Sequence, residues 1–355
     1  MKKLLSVLLL LCLCMPVALA GLSDDPNHFA ESVVDGTYES VYPEFYNAAS
    51  PSIIIPGLSM DFIPQGIAYY EPGNLMFLTG YSSFGFFNSM LLAVDMTTNQ
   101  VVKEVLLCMP DGEPYTGHAG GVCVTGRNIY ISGESCLYRL PLSDFHAAAP
   151  MDVLGFAEVI PVPVKASFCQ IDNGVLWVGE FYEGKNTKNH TSDTHFKTVD
   201  GGMNHSWLLG YKLDGGTANE LSASAMTAQG AAPDYVLSIP DRIQGVTICN
   251  GEFYLSQSYG RTNPSTIYRH ENVMQQTTFE QAWVCGQSRP MWVLDNSSQD
   301  AALTCPPMTE GLCTIGGQIY VSFESAANYY RIPEDDKGPS LHPVDRVYKI
   351  DPSKF

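Results

Sequence analysis

Positive charge is what this sequence has least of. Across 355 residues, Lys and Arg number 19 against 37 Asp and Glu, a formal net charge of −18. Charged residues of either sign make up only 16%. Such a surface repels nucleic acid and anionic membranes, and no basic cluster overrides it. Beyond residues 1–20 no apolar run is long enough to span a bilayer. None of the cysteines has the CxxC spacing of a zinc site. Nucleophile elbow, phosphate-cradling glycine loop and dinucleotide fingerprint are all missing, so no nucleotide or organic cofactor is expected.

What is present begins with a secretory signal. Lys2 and Lys3 form its charged start, Leu4 to Leu13 its apolar stretch, and Ala18-Leu19-Ala20 a small-x-small cleavage site before Gly21. The chain is therefore expected to be cleaved after Ala20 and to be secreted or periplasmic, soluble and monomeric. Residues 21–50 read as a polar, aromatic leader packed on the domain, and residues 51–355 as a single domain. Eight cysteines remain after cleavage. Cys123, Cys169 and Cys313 fall inside apolar strands, where a thiol behaves as a small hydrophobe. Cys285 and Cys305 flank one irregular stretch and are the expected disulfide.

The domain is organised around one recurring hairpin. Met308 to Ser325 reads as a strand opening on Glu310-Gly311, a turn at Gly316-Gly317, and a return through Gln-Ile-Tyr-Val-Ser. Versions of it start near Gln65-Gly66, Gly120-Gly121, Ser167 and Gln244-Gly245. Each is followed by two further short strands, giving four-stranded antiparallel units. Trp292-Val-Leu is taken as part of the fourth unit. Such repeats predict an all-β fold, a β-propeller of four-stranded blades. Five blades are predicted, or six if the long third or fourth unit hides another. The last unit stops a strand short at Phe355, and Ser52 to Pro56 is a spare strand at the other end. The ring is expected to close by pairing the two, which removes an open edge.

The hairpin pattern Glu/Gln-Gly-apolar…Gly…apolar-Tyr-apolar resembles the inner hairpins of propellers of the SMP-30/gluconolactonase, strictosidine-synthase and NHL-repeat kind. The resemblance implies a divalent cation in the central channel, held by inner-strand oxygen ligands. Glu310 is the residue that lands on the matching Glu-Gly; the Asn and Asp partners have no clear counterpart.

Side-chain alternation directs both the hairpin starts and the ends of the returning strands to one rim of the channel. That rim collects Gln65, His118, Lys165, Arg242, Gln244 and Arg261 with Glu134, Glu180, Glu310 and Glu324. Glu310 and Glu324 are the candidate ligands for Ca²⁺ or another divalent cation, with Glu134 as a third and Gln65, Gln244 and Ser167 as neutral oxygens. His118 is the acid/base candidate because its ordinary pKa lies nearest neutrality, and Glu134 and Glu180 join it as catalytic candidates. Arg242 and Arg261 suit a carboxylate or phosphate clamp, with Lys165, Tyr259, Gln65 and Gln244 as further substrate contacts. The third unit carries an insertion, Glu183 to Ser206, with His190, Asp193, His195, Asp200 and His205, expected to overhang the rim as a lid. Two functions follow. One is a cation-assisted hydrolase or lactonase-like enzyme for a small polar or anionic substrate. The other is a non-catalytic module or scaffold that recognises a glycan or peptide through Tyr182, Tyr259 and the insertion.

Overall fold

The computed structural model describes residues 31–85, 87–184 and 194–355. The signal and its cleavage site, with His190 and Asp193, lie outside the described residues.

Beside two two-stranded ribbons, five sheets, each built on four antiparallel strands, follow one another along the chain. Their innermost strands are Ile63–Tyr70, Gly121–Val124, Ala166–Asp172, Ile243–Cys249 and Thr309–Ile315. Each inner strand packs on the next, and the fifth on the first, so the sheets form the blades of a five-bladed propeller around one axis. In every blade the inner strand runs into a returning partner through a short turn, as in Thr309–Ile315 with Gln318–Phe323.

A close approach of backbones explains the Glu/Gln-Gly motif. A Cβ on Gly66 would stand 2.6 Å from the Val122 nitrogen of the next blade, and one on Gly245 would stand 2.7 Å from the Glu310 carbonyl oxygen. At these positions only glycine lets the neighbouring inner strands come this close. The register also shifts at this point, between Pro64 and Ile67, Ile243 and Gly245, and Thr309 and Leu312. Such bulges re-aim a side chain, and here they accompany the polar residues Gln65, Gln244 and Glu310 on the channel wall. Gly245→Ala is expected to destabilise the protein by about 1–3 kcal/mol, the usual cost of overpacking, measured by urea denaturation. A change within about 0.5 kcal/mol would refute the close-approach reading.

Apolar clusters fill the five blade interfaces. Between blades 2 and 3, Cys123 and Tyr130 meet Cys169 and Val178; between blades 5 and 1, Cys313 and Val347 meet Ile67 and Met76. Side chains such as Phe77, Leu255 and Val321 are fully buried, each contributing roughly 1.5–3 kcal/mol.

Three strand expectations need correction or refinement. The spare N-terminal strand spans Ala49–Ile54 rather than Ser52 to Pro56, after the helix Pro43–Ala48, and pairs antiparallel with Arg346–Ile350 at the outer edge of blade 5. Trp292 does not belong to blade 4. Gln287–Val293 lies parallel to Tyr235–Ile239 of blade 3, carrying the hairpin partner Glu280–Val284, and the fourth strand of blade 4 is Gln299–Cys305. An apolar Met-Trp-Val run suits any buried edge, and its neighbour was set by the tertiary fold. Blade 1 likewise gains a parallel fifth strand, Val153–Gly155.

The expected Cys285–Cys305 disulfide is absent, and all eight described cysteines are free. Cys305 is fully buried in the outer strand of blade 4, whereas the Cys285 thiol faces the Gln229 and Ala231 carbonyls beside blade 3. Among the described residues no helix is long and apolar enough to cross a membrane.

Candidate functional site

One end of the channel opens into a cavity of about 440 Å³. Strand entries supply Gln65, His118, Lys165, Ser167, Gln244 and Glu310, and strand ends supply Tyr81, Glu134, Phe181 and Glu324, with Tyr330 added from beyond.

Its floor is a carboxyl pair. Glu310 and Glu324, 2% and 9% exposed, are hydrogen-bonded to each other. The Gln244 amide donates to Glu310 Oε1 at 3.0 Å, and the Gln65 amide to Glu324 Oε2 at 3.0 Å. Burial, then the neighbouring Glu324 charge, push the Glu310 carboxyl well above the usual range. Burial also pushes Glu324 up to about 7, against the pull of hydrogen bonds from Tyr330 and Gln65 and of the Arg261 charge. Two like charges buried in contact cannot both persist without a compensating proton or cation.

On another side of the cavity stands Glu134, at a left-handed φ of 50°. Its Oε2 accepts from the Tyr138 hydroxyl at 2.7 Å and from the Tyr115 hydroxyl at 3.3 Å. The His118 ring leans on Tyr81, with centroids 4.5 Å apart. It is open to solvent through the cavity yet enclosed by protein on its other sides, and this partial burial lowers its pKa against the opposing pull of Glu134. A neutral imidazole results near pH 7, ready to accept a proton.

Four predicted site residues stand outside this lining. Glu180 is fully buried in register with Ala166. Arg242 is exposed at a left-handed φ of 63°, with its guanidinium 4.8 Å above the Tyr259 ring. Arg261 is taken up by the fold. Its two terminal nitrogens grip the Asp335 carboxylate at 2.7 and 2.6 Å, one also donates to the Gly338 carbonyl, and the guanidinium lies 4.9 Å from the Tyr330 ring centroid. It bears on the pair through Tyr330 and its charge, not as an open clamp.

Sequence reasoning missed Tyr81, Phe181 and Tyr330. Strand parity was the available signal for the first two, since Tyr81 ends the returning strand Leu75–Tyr81 and Phe181 directly follows Val175–Glu180. Tyr330 comes from the short helix Asn328–Arg331, which no strand pattern marks. From the insertion, Phe196–Lys197 pairs with Met203–Asn204. His205 stacks on Tyr182 with centroids 4.4 Å apart, its Nδ1 lies 2.9 Å from both Asp241 carboxylate oxygens, and His195 meets it edge-on.

A divalent cation is implied by the sequence resemblance, and the donors of the floor fit one in kind. Glu310, Glu324, Gln65 and Gln244 all carry the hard oxygen that Ca²⁺ prefers. The amides now turn their nitrogens to the carboxylates, and rotation about the last side-chain bond presents the oxygens instead. Among the described residues no three His, Cys, Asp or Glu are gathered for a metal, so water or substrate would complete the shell.

No protein-family model matches the chain, and no curated protein matches it. Solved structures do. The glutaminyl cyclase of Myxococcus xanthus is similar at 10% identity and TM-score 0.41, over 85% of this chain and 93% of that one. A gluconolactonase of Xanthomonas campestris is similar at 12% and 0.35, over 78% and 79%. The calcium-binding regucalcin of Agrobacterium tumefaciens is similar at 9% and 0.34, over 85% and 92%. Likeness this distant carries no argument about activity, and the architecture rests on the sheets themselves: the chain is a five-bladed β-propeller with a carboxyl-floored cavity at one end of its channel.

Proposed function

We propose that the mature chain is an extracytoplasmic, divalent-cation-assisted hydrolase, lactonase-like in its chemistry, acting on a small polar substrate in the channel cavity. The observation that carries the reading is the Glu310–Glu324 pair, two buried carboxyls in contact at the floor of an open cavity. Glu310 and Glu324 would hold the cation, with Gln65 and Gln244 beside them. Bound there, it would supply Lewis-acid polarisation of a substrate carbonyl.

The chain's own groups supply the remainder. His118 takes a proton from water as general base, its ring oriented by Tyr81. Glu134, fixed by the Tyr115 and Tyr138 hydroxyls, accepts hydrogen bonds from substrate hydroxyl or amide groups. Lys165 offers a positive charge to developing negative charge. Glu180, Arg242 and Tyr259 stand outside the cavity lining, and Arg261 acts on the pair only through Tyr330 and its charge, so neither arginine is an open anion clamp and the substrate need not be anionic.

A second reading, recognition of a glycan or peptide, is favoured by the stacked Tyr182–His205 and Arg242–Tyr259 pairs. Metal analysis of protein purified without chelators separates the two. The hydrolase reading expects about one tightly held divalent ion per chain and a melting temperature that falls on adding EDTA. No ion and an EDTA-insensitive melting temperature would leave the binding module.

A further inference from the structure

Among the described residues neighbouring blades share no backbone ladder, and beyond the close approach at the axis their contact is side-chain packing. At one interface that packing is sulfur on sulfur. The Cys123 thiol, in the inner strand of blade 2, lies 3.6 Å from the Cys169 sulfur in the inner strand of blade 3. Both are buried, 0% and 6% exposed. The approach follows from Gly121, where any Cβ would strike the Cys169 amide. Cys313, by contrast, faces the Met76 sulfur at 3.9 Å.

We propose that Cys123 and Cys169 are a redox-closable pair, and that their disulfide staples blade 2 to blade 3. The sulfurs must close from 3.6 Å to about 2.05 Å. Each thiol loses its proton and one Sγ–Sγ bond forms. The two electrons reduce a partner disulfide, of the oxidised-glutathione or dithiol-oxidase class, to two thiols. The exchange needs a thiolate and an open path to it. In the folded chain both side chains are buried away from any partner disulfide, and burial, then Cys169 itself, push the Cys123 thiol well above its usual range. Closure therefore belongs to folding, before the blades pack. The bond would span 46 positions of chain and stabilise by restricting the unfolded state. This inference is independent of the cavity chemistry.

Cell-free synthesis at an oxidising and at a reducing glutathione ratio tests it, with thiols alkylated at harvest and again after unfolding. Oxidising synthesis is expected to yield the linked Cys123–Cys169 peptide, two fewer alkylated thiols, and a melting temperature about 5 °C above that of reduced protein. Cys169→Ser should remove the redox dependence of the melting temperature. Reduced protein folded first and oxidised afterwards should close slowly or not at all. Full alkylation after oxidising synthesis, or a bridge that joins other cysteines, would overturn the proposal.

Discussion

Glu310→Gln is expected to abolish tight divalent-cation binding and to raise the melting temperature of the cation-free protein. The two effects share one cause. Glu310 is 2% exposed against a second buried carboxyl, so without a cation the site must hold a proton or tolerate like charge. Gln has nearly the same shape. Its oxygen can still accept from the Gln244 amide, and its nitrogen can donate to Glu324, so no buried group is orphaned. Losing one partner of a metal-orienting shell costs 10–100-fold in affinity, and losing a ligand should cost at least about 100-fold. Removing the like charge should stabilise the stripped protein by about 1–3 kcal/mol. Titration calorimetry and thermal denaturation in chelator read the two quantities. Unaltered affinity would refute the ligand assignment, and a lowered melting temperature in chelator would refute the like-charge account.

The second large effect concerns pH. His270 is 1% exposed, with Nδ1 3.0 Å from the Ser298 hydroxyl and no hydrogen-bond partner at Nε2. Burial holds its pKa down at about 4, against the opposing charges of Asp295 and Asp300. The folded value lies below the unfolded one, so the neutral ring contributes its full stability above about pH 6.5 and loses it as pH falls toward 4. From pH 7 to pH 5 this costs about 2 kcal/mol. Glu324 works the other way. Its folded pKa is raised to about 7, so its contribution is complete below about pH 4.5 and is lost as pH rises through 7, again by about 2 kcal/mol between pH 5 and pH 7. The two slopes oppose each other in the cation-free wild type, where Glu310 adds to the Glu324 slope and His118 to the His270 slope. His270→Asn keeps a polar group toward Ser298 and removes the His270 titration. On acidification from pH 7 to pH 5 the variant should therefore gain about 2 kcal/mol relative to the wild type, whatever absolute stability the smaller side chain loses. Urea denaturation at several pH values in chelator checks this, and a variant slope identical to that of the wild type would contradict it.

The blade count and the channel rim were legible in the sequence because two constraints meet in one dipeptide. At Gln65-Gly66, Gln244-Gly245 and Glu310-Gly311 the glycine permits backbone contact, and the residue before it belongs to the channel wall. Blade 2 carries Gly120-Gly121 at the same place, and blade 3 departs from the pattern with Ser167-Phe168. Long-range returns of the chain leave no comparable signal. The Asp335 loop reads as solvated, yet its carboxylate grips Arg261 from 74 positions away. Arg261 therefore looked like an open clamp, although its donors already have partners. Tyr330 was hidden for the same reason, since it reaches the carboxyl pair from a single helical turn after the last hairpin. The Met-Trp-Val run of blade 3 shows the limit of local pattern, which marks burial but not the neighbour.

The central claim is that Glu310 and Glu324 together hold a divalent ion in the channel. Crystals grown without chelator and soaked in Mn²⁺, with data collected near the manganese edge, test it most directly. The account predicts one strong anomalous peak bridging the two carboxylates, with the Gln65 and Gln244 amides turned to present oxygen. Two carboxyls still hydrogen-bonded to each other, with no peak between them, would contradict it.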